Sequence, residues 1–165
     1  MDPLGLAKLV YWSPGNGSTK GHVGLLLDDG TYISYWPTCY FGGKDPQPLK
    51  HCPAREADYD KDRAEEGRDP LFIQIDGLNE GAIKDWWNKG KGHGDFSIWN
   101  NCSDTVGTAL KMGGMPYKGE FIYTTPNDIK AAVEEYMQQV ERQRHDRMYP
   151  PPVPQPPPSP TPRPR

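Results

Sequence analysis

The sequence predicts an α+β domain in which an antiparallel sheet packs against a helix. Two short apolar runs, residues 23–27 and 31–36, flank Asp28-Asp29-Gly30, a pattern typical of a β-hairpin. Apolar and polar residues alternate over 71–76, which indicates a further strand. Residues 126–147 carry apolar side chains at helical spacing behind a helix cap, so strands and helices occur in one domain.

The loop of the hairpin decides which side chains share a face of the sheet. A three-residue loop that ends on Gly30 in the left-handed conformation places Gly24 opposite Ser34 and His22 opposite Trp36. His22 and Ser34 then lie on the same face. A two-residue turn would instead shift the register by one residue and send Ser34 to the other face.

Local signals predict the other elements. Residues 9–12 are an apolar piece typical of a strand, and Asn79 can cap a short helix that carries two adjacent tryptophans. Thr125-Pro126-Asn127-Asp128 supplies a cap, a proline at the first helical position and a first-turn acid for a helix ending near Arg147. Residues 37–70 are rich in proline and charge and are predicted to be a long irregular excursion, either a functional flap or a mobile insertion.

A candidate nucleophile lies in the tripeptide Asn101-Cys102-Ser103, between a strand-like run, 96–99, and a helix-like run, 104–112. This position puts the thiol at a helix N-terminus, where a thiolate forms most easily. His22, at the head of an apolar strand, can supply the base. The plainer interpretations are that Cys102 is a small core residue, that His22 is a half-buried structural residue, and that Ser34 is a polar residue on a sheet face.

The composition of the chain argues against some classes of function. The chain has 165 residues, is 35% hydrophobic and carries a formal charge of -3 from 19 basic and 22 acidic side chains. These charges are interspersed without a basic stripe, which argues against nucleic acid as a partner. No stretch approaches the roughly 20 apolar residues of a membrane-spanning helix, and the N-terminus lacks the layout of a signal peptide. We therefore expect no transmembrane segment, and any export uses another route.

The three cysteines, Cys39, Cys52 and Cys102, cannot all pair within one chain. A Cys39–Cys52 bridge would leave Cys102 free. Together with His51 and His93 they suggest a zinc site, but no pair shows the short spacing of common structural zinc sites. No metal and no cofactor is predicted.

The C-terminal segment 149–165 is more than half proline. Such a segment forms no core, and we expect a disordered, water-exposed polyproline tail. Its PxxP spacing near Arg163 and Arg165 is compatible with docking to an SH3-like groove, and a linker or terminal spacer is the alternative.

The string from Gly21 to Pro37, GHVGLLLDDGTYISYWP, followed by Asn101-Cys102-Ser103 before a helix, resembles circularly permuted papain-like proteins of the NlpC type. In those proteins the histidine precedes the cysteine in the chain. The resemblance spans about residues 20–140 and implies that Cys102 is the nucleophile and His22 the base. It also implies a thioester intermediate and helix N–H groups near Ser103 that hold the oxyanion.

The resemblance implies that Ser34 occupies the position of the third catalytic residue. Relatives similar to lecithin:retinol acyltransferase have a second histidine at this position. A serine can hydrogen-bond to an imidazole nitrogen and fix its tautomer, but it cannot stabilise an imidazolium as an anion does.

A second resemblance lies at the start, where Asp2-Pro3-Leu4-Gly5-Leu6 is similar to the junction motif that ends the shell of Rhs-repeat polymorphic toxins. It implies three parts: a junction remnant at 1–8, a catalytic domain at 9–148 and the tail at 149–165. It also implies a secreted effector that is released by the shell and delivered into a competitor cell, to act in the periplasm or at the inner membrane. A cognate immunity protein and the Rhs shell are the expected partners.

The predicted function is therefore an antibacterial toxin domain that acts as a cysteine-dependent hydrolase or acyltransferase. Phospholipid acyl esters are slightly preferred as substrates, with peptidoglycan or protein amides as the alternative. A non-catalytic interaction module that uses the proline-rich tail is the alternative of another class. The tryptophans are core or groove walls, or an exposed subset contacts lipid headgroups or lines an acyl-chain pocket. They are Trp12, Trp36, Trp86, Trp87 and Trp99.

Overall fold

The chain forms an α+β fold in a computed structural model, which describes residues 5–15, 21–37, 52–56, 58–89, 95–96, 101–116 and 124–150. Within these ranges the strands and helices alternate irregularly along the chain. The strands are β1 Gly5–Trp12, β2 His22–Leu26, β3 Tyr32–Ile33, β4 Tyr35–Pro37, β5 Cys52–Glu56, β6 Leu71–Leu78 and β7 Asp95–Phe96. The helices are α1 Tyr59–Glu66, α2 Glu80–Lys89, α3 Cys102–Met112 and α4 Pro126–Met148.

The larger sheet is antiparallel and has four strands in the order β3-β2-β1-β6. A second, three-stranded sheet has the order β4-β5-β7. One face of the larger sheet packs against α3 and α4, and α2 packs against α3, around a buried apolar core. Removing these side chains from water is the main stabilising contribution, at about 1.5–3 kcal/mol for each large one. The core includes Ala7, Leu9, Val23, Leu25, Ile75, Ile83, Val106, Leu110, Ile129 and Val133.

Helix α1 lies against part of the opposite face of the larger sheet. Because side chains alternate along a strand, Trp12 and Phe72 point away from the face that carries Leu9 and Ile73. The Tyr59 ring of α1 lies 6.4 Å from the Trp12 ring and 5.9 Å from the Phe72 ring. The residues of β2 on this face are therefore turned towards α1.

The predicted hairpin register is confirmed between β2 and β3, but the predicted pair of His22 with Trp36 does not form, because Trp36 pairs with Arg55 in the smaller sheet. Leu25 pairs with Ile33, which is the register of a three-residue loop. The Leu27 N–H donates to the Thr31 carbonyl over 2.9 Å, and Gly30 has a φ of 86°, in the left-handed region. A two-residue turn is excluded. The second strand is interrupted at Ser34, where the chain leaves the larger sheet as β3 and joins the smaller sheet as β4.

The prediction of an irregular excursion over 37–70 is wrong for two segments, since 52–56 form β5 and 59–66 form α1. Helix α1 begins behind Asp58, whose carboxylate accepts the Lys61 N–H over 2.8 Å, and ends at Gly67, whose φ is 64°. Its buried residues are Asp62 and Glu66, so it shows no apolar stripe. This explains why the hydrophobic periodicity gave no helix prediction.

The other helices agree with their predicted caps. The Asn79 side chain accepts the Ala82 N–H over 3.0 Å at the start of α2. Thr125 and Asp128 form a reciprocal capping box at the start of α4, which ends at Met148, one residue beyond the predicted end. Strand β1 is longer than predicted and begins at Gly5, so residues 5–8 form part of the sheet.

Some predictions fall outside the described residues. They concern the junction residues 2–4, the strand residues 97–99, the side chains of Cys39, His51, His93 and Trp99, and the tail from residue 151 onwards. Within the described ranges, no helix combines the length and the apolar character needed to cross a membrane.

Candidate active site

His22 is the first residue of β2 and is almost fully buried, with 2% of its surface exposed. The preceding Gly21 has a φ of 74°, and a Cβ there would overlap the Trp12 carbonyl oxygen. The position directly before the histidine therefore requires glycine. The His22 ring stacks on the Trp36 ring at a centroid distance of 4.2 Å, and the Trp12 ring lies 5.6 Å away. Two indoles therefore fix the plane of the imidazole.

Asp62 of α1 is the carboxylate partner of this histidine. Its Oδ2 lies 2.9 Å from His22 Nε2, and its side chain is fully buried. The Ser34 hydroxyl donates to Oδ2 over 2.5 Å and the Tyr32 hydroxyl over 2.6 Å. The Trp36 indole N–H donates to Oδ1. Ser34 Oγ is also 3.0 Å from His22 Nε2, so the serine contacts both members of the pair.

Cys102 is the first residue of α3, which begins two residues before the predicted run 104–112, and it forms no disulfide. The Asn101 side chain caps the helix and accepts the N–H groups of Ser103 and Asp104 over 2.7 and 3.3 Å. The Cys102 N–H is not used by this cap. Cys102 Sγ lies 3.9 Å from the Ser103 hydroxyl. The thiol also lies near enough to the His22 imidazole for a charge on it to raise the pKa of the histidine.

The charges in this cluster support one another. Burial alone lowers the pKa of His22, but the negative charge at Cys102 and the hydrogen bond with Asp62 outweigh it and raise this pKa to about 10. Burial raises the pKa of Asp62, but its hydrogen bonds with His22, Ser34 and Tyr32 outweigh that effect and lower it. Each member of the His22–Asp62 pair thus favours the charged form of the other.

The structure brings the three candidate residues of the sequence, Cys102, His22 and Ser34, into one cluster and adds Asp62. The sequence contained a partial signal for this residue, since Asp58 and Gly67 are typical helix boundaries. Which acid of α1 becomes the partner of His22 depends on which of them faces the sheet. No periodic apolar pattern marks that face, so the anion was missed.

Four of the tryptophans belong to the described residues. Trp12 and Trp87 are buried, whereas Trp36 and Trp86 are half-buried. Trp12 and Trp36 form walls of the His22 site, and Trp86 and Trp87 lie on α2 with ring centroids 6.0 Å apart. The interpretation as core residues is confirmed for Trp12 and Trp87.

Comparison with known proteins places the chain in a family. The IcsB middle domain family matches residues 45–150, which is more than half of the chain. The matched segment contains Asp62 and Cys102, while His22 and Ser34 precede it. No curated protein and no solved structure matches the chain. On the length of this match, the chain belongs to the IcsB middle domain family.

Proposed function

We propose that this domain is a cysteine-dependent acyl hydrolase or acyltransferase in which Cys102 is the nucleophile and His22 the base. The observation that carries the proposal is that one buried imidazole binds a buried carboxylate and lies near a thiol at a helix N-terminus. A nucleophile, a base and a group that orients the base are the components of covalent acyl transfer.

The proposed reaction has two steps. His22 takes the Cys102 proton, and the thiolate attacks the acyl carbonyl carbon to give a tetrahedral oxyanion. The imidazolium returns the proton to the departing alcohol or amine as the carbonyl re-forms, which leaves a thioester on Sγ. In the second step His22 removes a proton from water or from another acyl acceptor, whose oxygen or nitrogen attacks the thioester carbonyl carbon. The C–S bond then breaks, the acid or the acylated acceptor leaves, and the imidazolium returns its proton to Sγ.

The oxyanion donor differs from the sequence expectation. Helix N–H groups near Ser103 were expected to hold the oxyanion, but the Ser103 and Asp104 N–H groups bind the Asn101 side chain. We assign this role to the Cys102 N–H, which the cap leaves available at the start of α3.

The third member of the site is proposed to be Asp62. Because its contact is to Nε2, the other ring nitrogen of His22, Nδ1, is left for the thiol. A carboxylate stabilises the imidazolium, which a serine hydroxyl cannot do. Ser34, the third residue expected from the sequence, then acts as a hydrogen-bond partner of His22 and Asp62.

The fold we propose is the permuted papain-like fold. Its support is the chain order, since His22 on β2 precedes Cys102 on α3, and the packing of α3 against β2 in the larger sheet. The domain boundaries proposed from the sequence are kept, except that residues 5–8 belong to β1.

The proposed setting is that of an antibacterial effector, based on the similarity of residues 2–6 to an Rhs junction. An immunity protein and the Rhs shell are its proposed partners, and delivery into a target cell its proposed route. Phospholipid acyl esters are the preferred substrate class, and peptidoglycan or protein amides the second.

The test is expression in the cytoplasm and, separately, in the periplasm, with wild type beside Cys102→Ala. Lysophospholipid or free fatty acid that depends on Cys102 supports the phospholipase activity. Altered muropeptides that depend on Cys102 support an amidase instead. Toxicity that is the same with and without Cys102 overturns the proposed enzyme.

The alternative of another class is an interaction module that uses the proline-rich tail. Helix α4 ends at Met148, directly before this segment, so the tail follows a 23-residue helix. Deleting residues 149–165 separates the two functions. Loss of activity on this deletion, with full activity of Cys102→Ala, would favour the module.

A further inference from the structure

We propose that Tyr32 and Trp36 are positioning residues that, together with Ser34, orient Asp62 towards His22. This inference rests on the proposed function, because it assigns the groups that hold its carboxylate. We name the three side chains of Tyr32, Ser34 and Trp36 the carboxylate cradle.

The cradle follows from strand alternation. Residues 32, 34 and 36 are two apart, so in extended chain their side chains emerge on one side. The hairpin register makes this the side of Gly24 and His22, opposite the core face that carries Ile33. All three side chains donate hydrogen bonds to the same carboxylate.

The donors divide the two oxygens between them. Tyr32, Ser34 and His22 all contact Oδ2, at 2.6, 2.5 and 2.9 Å. Trp36 binds Oδ1, so rotation of the carboxylate about its own axis would break contacts on both oxygens. The orientation that faces Nε2 is thus held by groups other than the histidine itself.

Helix α1 depends on this arrangement. Its buried side chains are those of Asp62 and Glu66, so its mid-section is held against the sheet by polar contacts and not by an apolar face. A fully buried carboxylate is costly unless hydrogen bonds replace its water, and the cradle provides three of them. The cradle therefore fixes both the charge and the place of Asp62.

The cradle residues do not themselves supply acid or base. Burial and the nearby Asp62 charge raise the pKa of Tyr32 far above its ordinary value, so its hydroxyl stays a hydrogen-bond donor. An indole N–H does not titrate. Their effect on the reaction must pass through Asp62 and His22, which makes it testable by coupling.

The test uses Tyr32→Phe and Trp36→Phe, with Tyr136→Phe on α4 and Trp86→Phe on α2 as matched controls. The first readout is the alkylation rate of Cys102 by iodoacetamide at neutral pH, assigned to Cys102 by peptide mass mapping. We expect each cradle variant to lose about tenfold in rate, as for loss of a hydrogen bond to a charged group, and each control to match wild type.

The second readout is the His22 pKa, measured by NMR titration of its ring nitrogens. Loss of the Tyr32 or Trp36 donor leaves the Asp62 carboxylate less well held, and the His22 pKa should fall. A variant that is only less stable, but folded, leaves this pKa unchanged. Tyr32→Phe removes a single oxygen atom and is the decisive variant, so wild-type alkylation and an unchanged pKa in it would overturn the inference.

Coupling separates this inference from the proposed function. In an Asp62→Ala background, Tyr32→Phe should cause no further loss of alkylation rate, because its target is absent. Additive losses would show that Tyr32 acts independently of Asp62 and would overturn the inference. The alkylation rate of His22→Ala tests the proposed function separately. A slower rate in His22→Ala would keep the proposed function even if the losses in the double variant were additive. A wild-type rate in His22→Ala would overturn the proposed function itself.

Discussion

The Asp62 carboxylate on α1 lies 2.9 Å from His22 Nε2 on β2, although 40 positions separate them in the sequence. Both side chains are buried, and each shifts the pKa of the other towards its charged form. The pair explains why an otherwise polar helix lies against the sheet. It also supplies the anion that the sequence-based site lacked.

Replacing Asp62 by asparagine tests this pair. Asp62→Asn keeps the size of the side chain and removes its charge, so the His22 imidazolium loses its anionic partner. We expect the rate of acyl transfer to fall by about 10²-fold or more, as for an aspartate that orients a catalytic histidine. The matched control is Asp60→Asn on the same helix, where the side chain is exposed. Equal rates in both variants would contradict the role of Asp62.

The stability of the domain should depend on pH through His22. The folded-state pKa of His22 is raised from 6.5 to about 10, so its contribution is full below 6.5 and declines above it. It is lost as the pH rises through about 10. Urea unfolding of wild type and His22→Gln at several pH values checks this, since groups common to both proteins cancel. A constant difference in the free energy of unfolding from pH 6 to 10 would contradict the raised pKa.

Gly24 should not tolerate a side chain. A Cβ at this position would overlap the Tyr32 phenol, which lies over the glycine and donates to Asp62. We expect Gly24→Ala to displace Tyr32, to destabilise the fold by about 1–3 kcal/mol and to slow Cys102 alkylation several-fold. The control is Gly81→Ala in α2, where a Cβ would make ordinary contact with the Asn79 side chain at 3.4 Å. If both variants match wild type, the Tyr32 position is not constrained as described.

The cap of α1 should influence Cys102 from a distance. Asp58→Ala removes the acceptor for the Lys61 N–H and should cost about 1 kcal/mol, felt mainly by α1. Hydrogen exchange of residues 59–66 should then become faster, and Cys102 alkylation slower, because α1 carries Asp62. Thr125→Ala removes an equivalent cap from α4 and serves as the control. Loss of alkylation only in Thr125→Ala would contradict the link between α1 and the site.

Much of the fold followed from local rules. Gly30 after two aspartates fixed the hairpin register and so the common face of His22 and Ser34. Asn79 and Thr125 marked the starts of α2 and α4, because their side chains satisfy N–H groups that a helix start leaves free. These signals need only the nearest few residues.

The part of the site that could not be predicted depends on contacts between distant segments. Helix α1 buries acids instead of apolar residues, so the burial of Asp62 depends on the carboxylate cradle of β3 and β4 and not on a local pattern. The same holds for the strand β5, whose partners among the described strands are β4 and β7. The roles of Cys102, His22 and Ser34 in catalysis stay predictions until activity is measured.

The most direct measurement is acyl-enzyme trapping. The purified domain is mixed with p-nitrophenyl acetate and p-nitrophenyl octanoate and analysed by intact mass and peptide mapping, beside His22→Ala and Cys102→Ala. The account predicts one acyl group on Cys102 in wild type, removed by hydroxylamine, and a strongly reduced level in His22→Ala. Acylation that spares Cys102, or equal acylation of Cys102 in wild type and His22→Ala, would contradict it.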